Sequence, residues 1–329
     1  MLIKILASLA SPGGPDACLS TLIFHRVLAQ PDPLFPGEPD AKMFDKILDW
    51  VGENFNVISL ADAVAALARH ALPARALVIT FDDGYADNEA IALPVLKKHS
   101  MNATFFVASN FIDGGRMWND TVIEAVRNFE GTRLDLSDIG LGAFSTQNVN
   151  DRRSAIDALL GQLKYRPPIE RSCLVEAVAS IACVRLPDDL MMTSGQICAL
   201  RDTGMIIGGH TSSHPILARL SDAEAFDEIV GGKRMLETIL GETVDFFAYP
   251  NGKPGRDYLK PHKAMVEKAG FTAAVTTAVG VARGGADLFQ IPRFTPWDRS
   301  KWRFGVRMLS NMRSEVVLAP AAVNATESA

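Results

Sequence analysis

The sequence predicts an α/β protein with a parallel sheet. Short β-branched and aromatic runs alternate with amphipathic helical stretches, the pattern that strand–helix–strand units leave in a sequence. Side chains with catalytic chemistry fall at or just beyond the ends of those runs, where the carboxyl ends of parallel strands share one face. Of 329 residues, 48% are hydrophobic and 22% charged, which suits one large core or a core with a sub-domain.

Seven runs read as strands: 19–25, 76–82, 103–109, 205–210, 245–250, 272–277 and 290–294. Periodicity and caps predict helices over 41–54, 59–70, 88–99, 221–240 and 257–269. Ser221 and Glu224 form a capping box at the start of the fourth helix, and Gly270 is placed to end the fifth. From Asn119 to Met192 the alternation breaks, and 122–128, 152–163 and 169–181 read as helices, so a helical insertion is expected after the third strand. The organisation expected is a lead segment over 1–17, one catalytic domain over 18–316 that carries the insertion over 119–192, and a disordered tail over 317–329. Barrel-like closure of the strands would bring His25, Asp82, Asp83, His210, Asn251 and Arg293 to one rim.

A net charge of -5 and a pI near 5.7, with no local Lys/Arg run, argue against nucleic acid or another polyanion as a partner. Cys18, Cys173, Cys183 and Cys198 show no C-x-x-C spacing and sit in apolar segments, so they are expected to be buried free thiols in a reducing compartment. The apolar run from Ile5 to Ala10 is shorter than a secretory core, and nothing later reaches a membrane-spanning length. A cytoplasmic protein is therefore expected, with a weak signal or a membrane-surface helix as the alternative. Oligomeric state is not legible.

Thr80, Phe81, Asp82, Asp83, Gly84 and Tyr85 run consecutively, so two carboxylates arrive together where a strand ends. Asp-Asp-Gly is also turn chemistry, and alone it leaves both readings open. His210 and His214 follow another apolar run with Gly208 and Gly209 beside it. Four residues apart on a helical turn, two imidazoles would face the same side, although ordinary surfaces carry such pairs too. Joined, the motifs are more specific. Two imidazoles and one carboxylate make a three-ligand set with a position open for water, and the second carboxylate is left to act as base.

With these residues in view, the chain resembles the polysaccharide deacetylase family, the NodB-homology or carbohydrate esterase family 4 group. His25, Arg26 and Val27, the run from Thr80 to Gly84, and the His210/His214 pair stand in the family's order across about Leu19 to Phe294, apart from the insertion. The resemblance implies a distorted (β/α) barrel, here of about seven parallel strands, that hydrolyses N-acetyl or O-acetyl groups on carbohydrates such as exopolysaccharides. It implies an N-acetylated carbohydrate as partner and one divalent metal ion, Zn2+ by default for a His-His-Asp set, with other first-row ions as alternatives. Carried over residue by residue, Asp82 is the general base, and Asp83, His210 and His214 are the metal ligands. The stretch from Phe246 to Gly252 matches the family's third motif, with the Asn251 backbone N–H toward the oxyanion and Tyr249 and Pro250 as substrate contacts.

Two family roles lack their usual residues. Ala248 stands where many members carry an arginine that holds the base, and Arg293 is the best relocated candidate. No histidine follows His262, so His25 is read either as the proton donor to the leaving amine or as a group that orients Asp82 or a ligand. Trp118 and Trp297 are placed to stack on a sugar or to pack the protein. His70 and His99 end helices, and His262 is expected to be exposed. An amidohydrolase acting on a small amide, with the insertion as lid, is one competing function. An inactive carbohydrate-binding protein on the same scaffold is another, and retention of Asp82, Asp83, His210 and His214 speaks against it.

Overall fold

The computed structural model describes residues 2–314 together with Val316 and Leu318. The expected disordered tail falls, apart from Leu318, outside the described residues. The strands are β1 (Cys18–Phe24), β2 (Asn56–Val57), β3 (Ala76–Phe81), β4 (Thr104–Val107), β5 (Arg133–Leu136), β6 (Gly142–Ser145), β7 (Ile206–Gly209), β8 (Phe246–Ala248), β9 (Ala273–Val275) and β10 (Ala282–Arg283). The main sheet runs β10-β1-β3-β4-β7-β8-β9, with β2 attached to β3. Its pairs are parallel except β1 with β10.

The seventh expected strand is replaced by a bridging segment. Ile291 pairs with Val275 of β9 and Phe294 with Leu22 of β1, each through a single parallel bridge. Pro292 between them has no N–H to give to a ladder, so closure rests on separate bonds. Thr276 N–H donates to the Ile291 carbonyl at 2.9 Å, and Phe294 N–H to the Thr21 carbonyl at 2.8 Å. The sheet is thereby a curled half-barrel whose two edges meet at residues 291–294, the distorted (β/α) barrel expected from the sequence.

The helices are α1 (Leu2–Ala10), α2 (Ala41–Asn54), α3 (Leu60–Ala68), α4 (Leu93–Lys98), α5 (Trp118–Asn128), α6 (Val149–Leu163), α7 (Pro168–Ala182), α8 (Ser194–Asp202), α9 (Asp222–Leu240), α10 (Lys260–Lys268) and α11 (Lys301–Asn311). The Ser221–Glu224 capping box starts α9, and Gly241 ends it at a φ of 69°. α8 carries a second capping box, Thr193 with Gln196, which the sequence reading passed over. None of the described helices is long and apolar enough to cross a membrane.

Side-chain alternation along the strands sorts the core. Leu77, Ile79, Phe81, Phe105, Val107 and Phe247 pack outward into one cluster with α2, α8 and α9. Val78, Phe106, Phe246, Ala248 and Val275 point the other way and form a second cluster with α3. Asp82 and His210 follow β3 and β7 in register with this second, concave face.

The insertion was expected to be helical, but between α5 and α6 it holds the β5–β6 hairpin. Alternation shows there too, since Leu134 and Leu136 are buried while Arg133 and Asp135 are exposed. Val122, Leu134, Ile156, Leu159 and Val178 give the insertion its own core. Its exit is stitched to the carboxylate turn: Ala86 N–H donates to the Leu190 carbonyl at 2.8 Å and Met192 N–H to the Gly84 carbonyl at 2.9 Å.

Three smaller expectations change. All four cysteines are free, but only Cys18 is buried; Cys173 and Cys183 are exposed and Cys198 lies between. His262 is buried because its Nδ1 accepts the Leu259 N–H at the start of α10. The lead segment forms α1, whose Ile3 and Ala7 are buried.

Glycine in β7 is a steric requirement. A Cβ at Gly208 would lie 2.4 Å from the Phe106 ring and 3.0 Å from the Phe246 carbonyl oxygen. Gly208→Ala is therefore expected to lower the unfolding free energy by about 1–3 kcal/mol through overpacking. Denaturant unfolding measures this, and a loss under about 0.5 kcal/mol would mean that β4 and β7 are less tightly apposed than described here.

Candidate active site

Asp82 is the last residue in register with β3, and it is met there by a buried arginine. Arg293, 1% exposed, reaches across the concave face from the closing segment. Its Nη1 and Nη2 each donate to one Asp82 carboxylate oxygen at 2.7 Å. Nη1 also donates to Thr80 Oγ1 at 3.2 Å, and Nε to the Thr276 carbonyl at 2.8 Å. The guanidinium thus ties β3 to both edges of the barrel's closure, in the planar two-bond geometry that only arginine supplies.

Asp83 turns away from the strand with φ of 76°, followed by Gly84 at 91°. Its Oδ1 lies 3.4 Å from Nε2 of His210 and 3.4 Å from Nε2 of His214. His210 is aimed by the Ala248 backbone: its Nδ1 sits 2.7 Å from that carbonyl, which leaves Nε2 facing the carboxylates. The two histidines converge through a loop, not the helical turn anticipated from their spacing. Thr211 and His214 have φ of 64° and 55°, and Thr211 Oγ1 accepts the His214 N–H at 3.1 Å. Asn251 joins them at 59°. Four non-glycine residues with positive φ at one site are backbone strain held by the surrounding fold. α9 presses against this loop at Gly232, where a Cβ would lie 2.6 Å from the Thr211 carbonyl carbon.

Charges within the site oppose burial. Desolvation would raise the Asp82 pKa, but Arg293 and His210 outweigh it and hold the group below the usual carboxylate value. Asp83 lies far below that value, because the two histidines more than offset its burial. Burial pushes His214 down to about 4, so it is neutral near pH 7. His210 moves upward, since Asp82 and Asp83 overcome its desolvation.

The donor set fits a divalent cation. Asp83 Oδ1 is buried with no hydrogen-bond partner. It and one ring nitrogen from each of His210 and His214 lie within 4.8 Å of one another. Two imidazoles and a carboxylate are the three-ligand pattern of catalytic metal sites.

These groups lie in a cleft of about 370 Å³, within the size range of small-ligand sites. His25, Trp118 and Asn251 border it, with Asn119, Lys164 and Arg171 from the insertion. The Asn251 N–H has no acceptor among the described residues. Three sequence-predicted substrate contacts do not reach the cleft. Tyr249 has the opposite strand parity from Ala248, so it packs on Tyr258 at 3.8 Å and its hydroxyl donates to the Phe289 carbonyl. Pro250 is buried outside the lining. Trp297 is 67% exposed and borders a different depression, beside Pro36 and Asp298.

Sequence reasoning also missed a buried network behind Asp83. Tyr85 donates to Asp120 at 3.0 Å, Arg26 lies 4.7 Å over the Tyr85 ring, and Arg26 pairs with Asp87 at 2.7 Å. Desolvation lifts the Asp120 pKa to about 7. Asp87 and Asp120 each lie a few residues from a motif that was recognised, but nothing in their spacing distinguishes them from ordinary surface acids.

Fold and site together define an α/β half-barrel with a buried His-His-Asp cluster able to hold a metal. The model of the family described as polysaccharide deacetylase matches residues 69–130 and 183–274. The Bacillus subtilis (strain 168) protein YxkH, which bears the polysaccharide deacetylase name, is 21% identical over 279 residues, covering 84% of this chain and 71% of its own. Among solved structures, the Streptococcus pyogenes deacetylase PplD in complex with acetate superposes with a TM-score of 0.59 at 18% identity, covering 91% of this chain and 99% of that one. IcaB from Ammonifex degensii gives 0.58 at 19% identity, covering 92% and 99%. The chain is thus similar to polysaccharide deacetylases over these two segments and shares the fold of solved deacetylases.

The buried ion pair makes a stability prediction. Arg293→Met leaves the Asp82 carboxylate unpaired at 3% exposure and is expected to cost about 3–5 kcal/mol. Double-mutant unfolding with Asp82→Asn should recover much of that loss, and additivity of the two changes would show that the pair is not coupled.

Proposed function

We propose that the protein removes the acetyl group from an N-acetylated sugar and releases acetate, with Asp82 as general base. The observation that carries this reading is the division of labour between neighbouring carboxylates. Asp83 Oδ1 faces both histidines at 3.4 Å, while Asp82 is held apart by Arg293 at 2.7 Å. One divalent cation held by Asp83, His210 and His214, Zn2+ first among the first-row ions for this donor set, would supply Lewis-acid polarisation of the acetyl carbonyl and acidify the attacking water.

The chain's own residues do the rest. Asp82, kept ionised and fixed in orientation by Arg293, takes a proton from water. Its Oδ2 is 3.9 Å from His210 Nε2, so the base stands beside the cluster without belonging to it. The unpartnered Asn251 N–H, at the cleft wall, meets the oxygen on which charge develops, a role in which losing one donor costs about 3 kcal/mol of barrier. His25 borders the same cleft and gives the leaving amine its proton. The acetate bound to PplD is the product such a reaction would release.

Acetate release from a panel of N-acetylated oligosaccharides, with and without chelator, tests the reading. Asp82→Asn is expected to keep its metal and lose about 100-fold or more in kcat. His210→Ala is expected to lose both metal and turnover. Equal metal loss in the two variants would mean the aspartate roles are exchanged, and no acetate from any sugar by metal-loaded protein would sink the proposal.

A further inference from the structure

The cleft that holds the two carboxylates also has cationic side chains in its lining, with no ion-pair partner among the described residues. Lys164, just past the end of α6, and Arg171, in the first turns of α7, line the same cleft as Asp82, Asp83 and the two histidines. Neither has a carboxylate within 4.0 Å among the described residues. Arg171 is set in place by other means: its Nη1 donates to the Lys164 carbonyl at 3.4 Å, and its guanidinium lies 4.9 Å over the Trp118 ring. The other N–H groups of its guanidinium have no acceptor among the described residues.

The positive field extends along the rim. Arg219 and Arg256 flank the Tyr165 ring at 5.7 and 5.0 Å, beside Lys164 at 5.8 Å, and neither arginine is in an ion pair among the described residues. Lys253 adds to the field at Lys164. Of the acids nearby, Asp257, whose field also reaches Lys164, accepts the Lys253 N–H with Oδ2, keeps Oδ1 buried without a partner and lies beyond ion-pair distance of Lys164. On the far side of Arg171, Glu228 accepts from Ser212 and Ser213, and Glu224 from Ser221. Of the remaining carboxylates there, Asp227 is exposed and beyond ion-pair distance.

Partly desolvated cations without partners are a standing cost to the folded protein unless a ligand brings the opposite charge. Both residues sit between 131 and 182, outside the two segments that the family model matches.

We propose that Lys164 and Arg171 form a subsite for an oxyanion, carboxylate or phosphate, carried by the glycan beside its reacting N-acetyl group, so that the substrate class is an anionic N-acetylated saccharide. This rests on the deacetylase reading. Arg171, flattened against Trp118, offers a fork of donors to two oxygens, and Lys164 adds a point charge. Asp82, Asp83 and the cluster they serve handle the acetyl group in the same cleft.

The test compares three probes on the metal-loaded full chain: chitotriose, a hyaluronan tetrasaccharide that supplies carboxylates, and an oligomer of N-acetylglucosamine 1-phosphate. At least one anionic probe should exceed chitotriose in kcat/KM by tenfold or more, and which one it is identifies the oxyanion. Arg171→Gln and Lys164→Gln should each erase about ten- to a hundredfold of that preference, mostly in KM, with a much smaller change in kcat/KM on chitotriose. Added salt should weaken the anionic probes selectively. Equal kcat/KM for all three, or equal losses on neutral and anionic probes in both variants, would overturn the subsite. Calorimetric binding separates the two readings. Anionic probes that bind through Arg171 but release no acetate defeat the deacetylase reading alone, whereas turnover of chitotriose without anionic preference defeats the subsite alone.

Discussion

The bidentate bond between Arg293 and Asp82 is the constraint around which the rest of the molecule is arranged. It joins β3 to the segment where the sheet closes, and through Thr276 and Thr80 it reaches both sides of that closure. A buried ion pair stabilises only when its geometry is good and the remaining donors are used. Here three of the guanidinium nitrogens donate, and the Phe106 ring lies 5.8 Å away on the concave face. The same bond keeps the carboxylate charged at a position where burial alone would neutralise it. Structural closure and the ionisation of this carboxylate rest on one interaction.

The family's usual arginine position, Ala248, has acquired a different use. Its side chain belongs to the concave core and its carbonyl aims His210. An arginine side chain built there would point to the same concave face that Arg293 fills from the closing segment. The arginine can be supplied from either place because both sit at strand ends on one face, and what matters is where the guanidinium arrives.

The insertion changes the character of the cleft without touching its chemical centre. It has its own hydrophobic core, and its exit strand is tied by hydrogen bonds to the Asp82–Tyr85 turn, so it is a fixed wall. A chain with a net charge of -5 nonetheless presents a cationic rim at one place. The sequence has no Lys/Arg run because Lys164, Arg171, Arg219, Lys253 and Arg256 come from separate segments.

Local pattern by itself determined the parallel α/β class, six of the strands, most helices and the two motifs, because alternation, caps and adjacent functional residues are short-range properties. Asp82 with Asp83, and His210 with His214, are legible since each pair is carried on one strand end. The β5–β6 hairpin was also within reach of the alternation in 133–136 and was overlooked. Tyr249 was misassigned although strand parity, counted from Ala248, already turned it away. What tertiary structure alone decided is everything that depends on two distant segments meeting. It split the last strand into two bridges around Pro292, left Trp297 outside the cleft and assembled the basic wall, whereas the meeting of Arg293 with Asp82 was already expected from the resemblance. Those outcomes turn on how the sheet curls and where the insertion lands, and a linear sequence carries no local signal for either.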